Sequence, residues 1–180
     1  MTVFNQDELF AALSRKDEKV YISLANNIEL QPNSAFFDYL FLSQSDCSAK
    51  QIIWYGNSFK LIFPDTVFYG LLGNKLTGEI YDTEFVLNGT TNYAIAFEVD
   101  NLKIVNCKFT GQFKSAGQYS ALVSWIATNS KMYDCKFNLT LTGTQVALFS
   151  VIADEYSAIV NCTNNTSSTQ VSVSNFLKRI

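Results

Sequence analysis

Four similar hexapeptides recur along the chain, and this repeat constrains the fold more than any other feature of the sequence. The copies are IYDTEF at 80–85, IVNCKF at 104–109, MYDCKF at 132–137 and IVNCTN at 159–164. Their Asn or Asp positions are separated by 24, 28 and 27 residues. A repeat of this length that is rich in β-branched and aromatic residues is typical of one turn of a solenoid.

A second repeating segment, small-apolar-apolar, precedes each hexapeptide in the same phase. It reads GLL at 70–72, AIA at 94–96, ALV at 121–123 and ALF at 147–149. Each turn therefore contains at least two strand-like pieces joined by polar bends. Weaker copies near 27–30 and 57–61 extend the pattern upstream. We expect about six coils, stacked at the spacing of neighbouring strands.

The alternation within each hexapeptide predicts which side chains face the core. In IVNCKF, Ile104, Cys107 and Phe109 are expected inside and Lys108 outside. Asn106 should form the bend between them, since Asn tolerates left-handed backbone and bonds to nearby backbone groups. Stacked coils then align like residues in columns. These are a bend column (Asp82, Asn106, Asp134, Asn161), a cysteine column (Thr83, Cys107, Cys135, Cys162) and a phenyl column (Phe85, Phe109, Phe137).

The N-terminal segment has helical rather than strand character. Asn5 followed by Glu8 is a capping-box arrangement, and apolar residues follow at helical spacing between 9 and 13. A short helix here would cover the open end of the stack. We therefore expect one domain, with a capping helix in 1–18, coils in 19–175 and a tail at 176–180. The segment 35–42 is apolar on both alternating faces and is expected to be buried on both sides.

The last hexapeptide lacks the phenyl group of the other copies. Asn164 stands in its place, so the distal coil is expected to need a cover. The tail residues Phe176 and Leu177, or a partner subunit, are the candidates. Outward tyrosines, notably Tyr81 and Tyr133, are further candidate contacts, because such rings form cross-coil ladders, bind another protein or stack on sugars.

Composition removes several classes of partner. The chain has 180 residues, a net charge of −3 and 13 Lys and Arg, so it lacks the clustered positive face that nucleic acids require. No apolar run approaches the roughly 20 residues of a transmembrane helix, and the N-terminus lacks the features of a secretion signal. We therefore expect neither nucleic acid nor a membrane as partner, and either an intracellular or virion-associated location or the earlier removal of a leader.

This arrangement resembles the right-handed, single-stranded parallel β-helix of the pectin-lyase-like superfamily, particularly its repeat-bearing members. In those proteins a small-apolar-apolar strand precedes an apolar-x-Asn-Cys-x-Phe strand. The opening at 7–30 is similar to the helix-then-strand start of that fold, and IIWYGNSFKLI at 52–62 looks like its second coil. The resemblance implies an all-β fold for nearly the whole chain. It implies no single function, because the superfamily includes lyases, hydrolases, viral and phage fibres, adhesins and structural modules.

Few residues are suited to catalysis. The chain has no histidine, which excludes Ser-His and Cys-His nucleophilic systems and histidine metal sites. The best carboxylate group is Asp82, Glu84 and Asp134, with Asp100, and two suitably spaced carboxyls suffice for glycoside hydrolysis. Asp82 and Asp134 share the bend column with Asn, however, and Glu84 is expected to pair with Lys108 on the outer face. We interpret all four carboxylates as structural.

The aligned cysteines raise the question of metal or redox chemistry. In the expected register they face the core, where small thiols fill space well and no other ligands converge. In-register side chains point the same way, so a disulfide between adjacent coils would be strained. We interpret them as reduced core residues and Cys47 as a lone free thiol, and we expect neither a metal nor a cofactor.

Two hypotheses for function follow. The first is a non-catalytic structural or interaction protein, a rigid β-helical component of a larger assembly such as a virion or phage-like particle, with protein partners or a homo-oligomer. The second is a carbohydrate-binding or polysaccharide-degrading protein, since the fold hosts such activities and outward tyrosines and carboxylates are present.

Overall fold

The chain folds, in a computed structural model, into a parallel β-solenoid of about five turns, with one short helix among the residues that the structure describes. The structure describes residues 1–31, 40–42, 51–168 and 170–180. In chain order the elements are β1 (Thr2–Val3), α1 (Gln6–Leu13), β2 (Lys19–Leu24), β3 (Ile28–Glu29), β4 (Leu40–Leu42), β5 (Gln51–Tyr55), β6 (Lys60–Phe63), β7 (Gly70–Tyr81), β8 (Glu84–Leu87), β9 (Thr90–Thr91), β10 (Ala96–Val105), β11 (Lys108–Ser115), β12 (Tyr119–Ala121), β13 (Ser124–Thr128), β14 (Lys131–Tyr133), β15 (Lys136–Thr142), β16 (Gln145–Ala153), β17 (Ala158–Val160), β18 (Thr163–Asn164), β19 (Ser167–Ser168) and β20 (Ser172–Arg179).

The strands form two sheets that run along the solenoid. A 12-stranded sheet contains the order β1-β2-β5-β7-β10-β13-β16, and an 8-stranded sheet contains the order β18-β15-β11-β8-β6-β3. Every pairing between these described strands is parallel. Strands joined by hairpins would pair in antiparallel fashion instead. The predicted all-β, parallel solenoid is therefore confirmed.

The hexapeptide repeat sets the register of the 8-stranded sheet. Phe109 lies opposite Phe85 on one side and Phe137 on the other, and Phe137 lies opposite Asn164. The weaker upstream copies continue this column through β6 and β3. The column contains six strands, and six successive strands enclose about five complete turns. The prediction from the sequence was about six coils.

The main core fills the inside of the solenoid. Within the second hexapeptide, Ile104, Cys107 and Phe109 are fully buried and Lys108 is exposed. The phenyl rings stack along the axis, with centroids 5.2 Å apart between Phe109 and each of its two neighbours in the column. Stacked rings at this separation attract each other beyond the area that they bury.

Helix α1 packs against the first turn of the stack. Its N-cap residue Asn5 accepts the backbone N–H of Glu8 at 3.0 Å, and the Glu8 carboxylate accepts the N–H of Phe4 at 2.7 Å. The first bond satisfies a donor that a helix start leaves free, and the second ties the residue before the N-cap to the first turn. The apolar stripe of α1 is buried in the main core through Leu9 and Leu13. Helix α1 thus separates the first turn from solvent.

The distal end of the stack is formed by β20, which pairs with β16. Residues 176–179, which the sequence analysis set aside as a tail, belong to this strand. Phe176 packs against the main core, and its ring centroid lies 5.6 Å from that of Phe149. Leu177, by contrast, packs on a separate small cluster.

Two expectations from the sequence concern residues that the structure does not describe. Cys47 and most of the apolar segment 35–42 lie outside the described residues. Within the described ranges, no helix is long and apolar enough to cross a membrane.

Candidate functional site

The bend column lies at the junction between the two sheets. Asp82, Asn106, Asp134 and Asn161 have φ angles of 49°, 52°, 54° and 53°, the left-handed region that Asn and Asp tolerate. The Asn106 amide donates to the Asp82 carboxylate at 2.6 Å, and the Asn161 amide donates to the Asp134 carboxylate. Both aspartates of the column are therefore acceptors in a cross-coil ladder.

The cysteine column closes the same bend from the inside. Thr83, Cys107, Cys135 and Cys162 each donate to the carbonyl oxygen two residues earlier, at 3.0, 3.4, 3.3 and 3.4 Å. Thr and Cys therefore have the same local role, because the hydrogen bond from each side chain spans the left-handed residue that precedes it. The three described thiols are free; Cys107 and Cys135 are buried, and Cys162 at the distal end is half-buried.

The environment of Cys135 and Cys162 keeps these two thiols protonated. The neighbouring Cys107 thiol and burial raise the pKa of Cys135 well above its ordinary value, and burial raises the pKa of Cys162 to about 11. Because the thiolate is the nucleophile and the metal ligand, this column is poorly suited to either chemistry. Among the described residues, no group of three or more His, Cys, Asp or Glu could hold a metal ion.

The four candidate carboxylates do not converge on one site. Glu84 lies opposite Lys108 in the register, but its ion pair is with Lys60 at 3.4 Å, and it also accepts the Thr110 hydroxyl at 3.0 Å. Glu84 therefore pairs with Lys60 of the preceding coil instead of the expected Lys108 of the following coil. Asp82 and Glu84 line one shallow pocket, whereas Asp134 and Asp100 do not reach it.

Asp100 belongs to a separate charged group on β7 and β10. The Lys75 ammonium lies 2.7 Å from Asp100 and 3.0 Å from Glu98. Hydrogen bonds to these two carboxylates raise the pKa of Lys75, so it remains charged and is no general base near neutral pH. The group is an ion-pair network across adjacent coils.

The predicted contact tyrosines form a ladder on the outer face. The Tyr81 ring stacks on Tyr55 at 5.5 Å between centroids, and its hydroxyl donates to Glu79. The Lys103 ammonium lies 5.9 Å from the ring centroids of both Tyr81 and Tyr133, a favourable cation–π distance. The Glu79 hydrogen bond, with burial, raises the pKa of Tyr81 to about 12. A partner contact at these rings remains a prediction.

A concave apolar region lies outside the main core, where the 12-stranded sheet bends. Strands β12 and β13 pair with different parts of β16, so β16 continues through the bend that separates the two shorter strands. The Lys178 ammonium lies 5.4 Å from the Tyr119 ring centroid, although these residues belong to opposite arms of the bend. The outer side of the bend is therefore concave.

A small apolar cluster fills this concavity. Ala121, Ala147 and Val151 are at most 1% exposed and are covered by half-buried side chains, among them Tyr119, Trp125 and Leu177. The register also places Phe97, which is 38% exposed, beside Trp125. We call Phe97, Tyr119, Trp125, Val151 and Leu177 the outer corner.

The outer corner is not predicted from the sequence as a cluster, although Leu177 is a predicted contact and Tyr119 is one of the tyrosines expected on outer faces. Its signal is an apolar residue that recurs at 97, 125, 151 and 177, at steps of 28, 26 and 26 residues. Each of these residues closely follows the small-apolar-apolar segment or its equivalent in the last turn. In a fold where apolar columns usually fill the core, this column is naturally assigned to the inside.

Comparisons with known proteins support the fold alone. No protein-family model matches the chain, and no curated protein matches it. Among solved structures, it is similar to a crystal structure from Bacteroides ovatus described as a "putative immunoglobulin A1 protease", with a TM-score of 0.55 and 13% identity over 97% of this chain and 74% of that one. At this identity the likeness extends to the backbone and not to activity.

Proposed function

We propose that the protein is a non-catalytic interaction module, a rigid solenoid that docks a partner protein at the outer corner. One observation carries the proposal: a second apolar cluster is built on the outside of a solenoid that already has its main core inside. Outward positions of a solenoid normally carry polar side chains. An apolar column with aromatic rings at its rim, of which Phe97 is exposed, is typical of a surface that another protein covers.

The composition of the corner favours a protein partner. Trp and Tyr anchors beside aliphatic groups are enriched at the centres of protein interfaces. The half-buried Leu177 offers no polar group to a sugar, whereas a partner's apolar side chain would fit against it. Lys178 and the Lys75–Glu98 pair lie at the margin of the corner, and such charges contribute more to specificity than to affinity.

The chemistry of the described ionisable groups supports a non-catalytic reading. The candidate carboxylates accept hydrogen bonds or pair with Lys in the ladders that hold the coils together. Catalytic carboxyls work as a pair that faces one substrate bond. The raised pKa values of Cys135 and Cys162 keep these two thiols protonated, and Cys107 and Cys135 are buried inside the stack, away from any substrate.

We further propose that the chain belongs to the pectin-lyase-like superfamily, with right-handed coils, and that it serves in a virion or phage-like particle. The recurring Asn-Cys bend and the small-apolar-apolar segment support the family assignment, and the setting follows from that resemblance. Mass spectrometry of purified particles from the source tests the setting, which fails if the chain is absent from them.

Site-specific photo-crosslinking in the native source tests the interaction. A photoreactive amino acid at position 125 should give one discrete protein adduct, and the same amino acid at Asn138, exposed on the 8-stranded sheet, should give none. The Leu177→Asp variant, which places a charge in the corner, should abolish the adduct. Equal yields from both positions, or an adduct that Leu177→Asp leaves intact, would contradict the proposal.

A carbohydrate ligand is the second candidate, and the Tyr119 and Trp125 rings beside Lys178 favour it. Trp54 is buried and Trp125 is half-buried, so ligand-dependent quenching of tryptophan fluorescence reports mainly on the corner. Titration with neutral and acidic oligosaccharides, and a reducing-sugar assay with and without calcium, decide the matter. Saturable quenching that Trp125→Phe removes would favour the sugar, and silence in both assays would remove it.

A further inference from the structure

Two lysines lie side by side on the outer face of the 12-stranded sheet. Lys103 of β10 is opposite Lys131 of β14 in the parallel register, and each alternates with buried residues, so both side chains point outward. Among the described residues, neither ammonium group forms an ion pair with a carboxylate. Like charges placed directly opposite repel each other, so this position carries a local excess of positive charge.

The carboxylates that are close in sequence or register have other partners. Glu79 is opposite Lys103 on the side of β7, but its carboxylate accepts the Tyr81 hydroxyl. Asp100, which precedes Lys103 on the same strand, pairs with Lys75. Glu79 therefore offsets at most one of the two positive charges.

Aromatic rings hold Lys103 in place. On the same outer face, Tyr81, Val105 and Tyr133 lie opposite one another in three successive coils. Val105 is the smallest of the three, and the Lys103 ammonium lies 5.9 Å from the ring centroid on either side of it. Each ring attracts the cation at this distance. The Lys103 side chain is therefore preorganised, which reduces the entropy that it loses on binding an anion.

The two lysines border a shallow depression that contains further hydrogen-bond donors. Its volume is about 210 Å³, and its lining includes Lys103, Lys131, Asn129 and Tyr133 but no carboxylate among the described residues. The Asn129 amide donates one hydrogen to Asn101, which leaves its second hydrogen for a ligand, and the Tyr133 hydroxyl is another donor. The depression therefore combines two positive charges with neutral donors.

We propose that this depression binds a phosphate monoester between the ammonium groups of Lys103 and Lys131, beside the Asn129 amide and the Tyr133 hydroxyl. A phosphate monoester carries nearly two negative charges at neutral pH and three strong acceptor oxygens. It therefore balances both ammonium groups, whereas a carboxylate balances only one. Because the site is shallow and its charges are screened by water and salt, the dissociation constant is on the order of millimolar.

The chain contains a matched lysine pair for comparison. Lys108 lies opposite Lys136 on the 8-stranded sheet, and both are exposed. Among the described residues, no aromatic ring lies beneath either ammonium group. Lys108 also shares its depression with Asp82 and Glu84, whose charges repel an anion. This pair has the same like-charge register without the features that favour binding.

An NMR titration of the chain labelled with ¹³C-lysine tests the proposal, with methyl phosphate as the probe at neutral pH and low ionic strength. The signals of Lys103 and Lys131, assigned from the Lys103→Gln and Lys131→Gln variants, should shift saturably. Those of Lys108 and Lys136 should not. Acetate at the same ionic strength should bind several-fold more weakly. Similar shifts at both lysine pairs, or no saturable shift at Lys103 and Lys131, would overturn the proposal.

A charge reversal tests the site without removing its surroundings. Lys131→Glu places a carboxylate opposite Lys103, which favours a cross-coil ion pair and should leave the fold intact. It should weaken methyl phosphate binding by roughly tenfold or more, because one attraction becomes a repulsion. The matched Lys136→Glu variant makes the same change in net charge on the other sheet and should leave binding unchanged. Binding that survives Lys131→Glu, or that Lys136→Glu weakens equally, would contradict the assignment.

Discussion

At the residue scale, the bend column shows how one side chain determines both a backbone conformation and a cross-coil bond. Asn106 has a φ of 52°, and its side-chain amide donates a hydrogen bond to the Asp82 carboxylate. Asn106→Ala should cost about 1–3 kcal/mol, because it loses the bond and strains the left-handed backbone. Asn106→Gly should cost less, since it loses only the bond. Urea unfolding measures both, and a larger loss for Gly would contradict this account.

The cysteine column gives a second test at this scale. Cys135→Asp should destabilise the fold by several kcal/mol, because it buries a charge without a partner between two coils. Lys136→Ala, on the exposed side of the same strand, should change stability by no more than about 0.5 kcal/mol. Thermal melts compare the two variants, and equal losses would mean that the inward and outward assignment is wrong.

Local chemistry explains why the first bend could be predicted and the second could not. The first bend is marked by a following Thr or Cys and a Phe, so its period is visible in the sequence. Asn101 and Asn129 form a second left-handed column, in which the Asn129 amide donates to Asn101 at 2.5 Å. The residue after Asn101 is Leu102, whereas the residue after Asn129 is Ser130, whose hydroxyl oxygen accepts the Leu102 N–H. No motif therefore repeats around these two bends.

At the element scale, helix α1 protects the first turn through its apolar stripe. Leu9→Ala should cost about 2–4 kcal/mol, because Leu9 is fully buried in the main core. Ala11→Lys, on the exposed face of the same helix, should be nearly neutral. Chemical denaturation monitored by circular dichroism compares them. A neutral Leu9→Ala would mean that α1 does not cap the stack.

The turn between β16 and β17 depends on an ionised carboxylate. Asp154 accepts the N–H of Asn129 at 2.9 Å and both the N–H and hydroxyl of Ser157, at 2.9 and 2.6 Å. Burial opposes ionisation, but these hydrogen bonds outweigh it and lower the pKa of Asp154 below its ordinary 3.8. The carboxylate therefore contributes stability above pH 3.8 that is lost as the pH falls through the lower folded-state pKa.

Asp154→Asn tests this linkage. The variant should be less stable than the parent by about 1 kcal/mol at pH 7. The difference should shrink as the pH falls below 3.8, because the parent then loses the same charge. Urea unfolding at pH 7 and near pH 2.5 provides the measurement. A difference that grows on acidification would contradict the assignment.

At the scale of the whole molecule, the sequence specifies the stack because each coil repeats the same inward residues. The phenyl column could be predicted from the positions of Phe85, Phe109 and Phe137, since vertical register follows from period alone. The outer corner could not, because an apolar residue at Trp125 or Val151 has the same sequence signature whether it faces inward or outward. Only the bend of β16 places these side chains on the outside.

The central claim is that successive coils lie in register directly on one another, and locating the sulfur atoms tests it most directly. A crystal structure phased on sulfur anomalous scattering should show Cys107, Cys135 and Cys162 in one row parallel to the solenoid axis. Neighbouring sulfurs in that row should be about 5 Å apart, the spacing of adjacent strands. Sulfur peaks for these residues that are widely separated or lie on different faces would contradict the account.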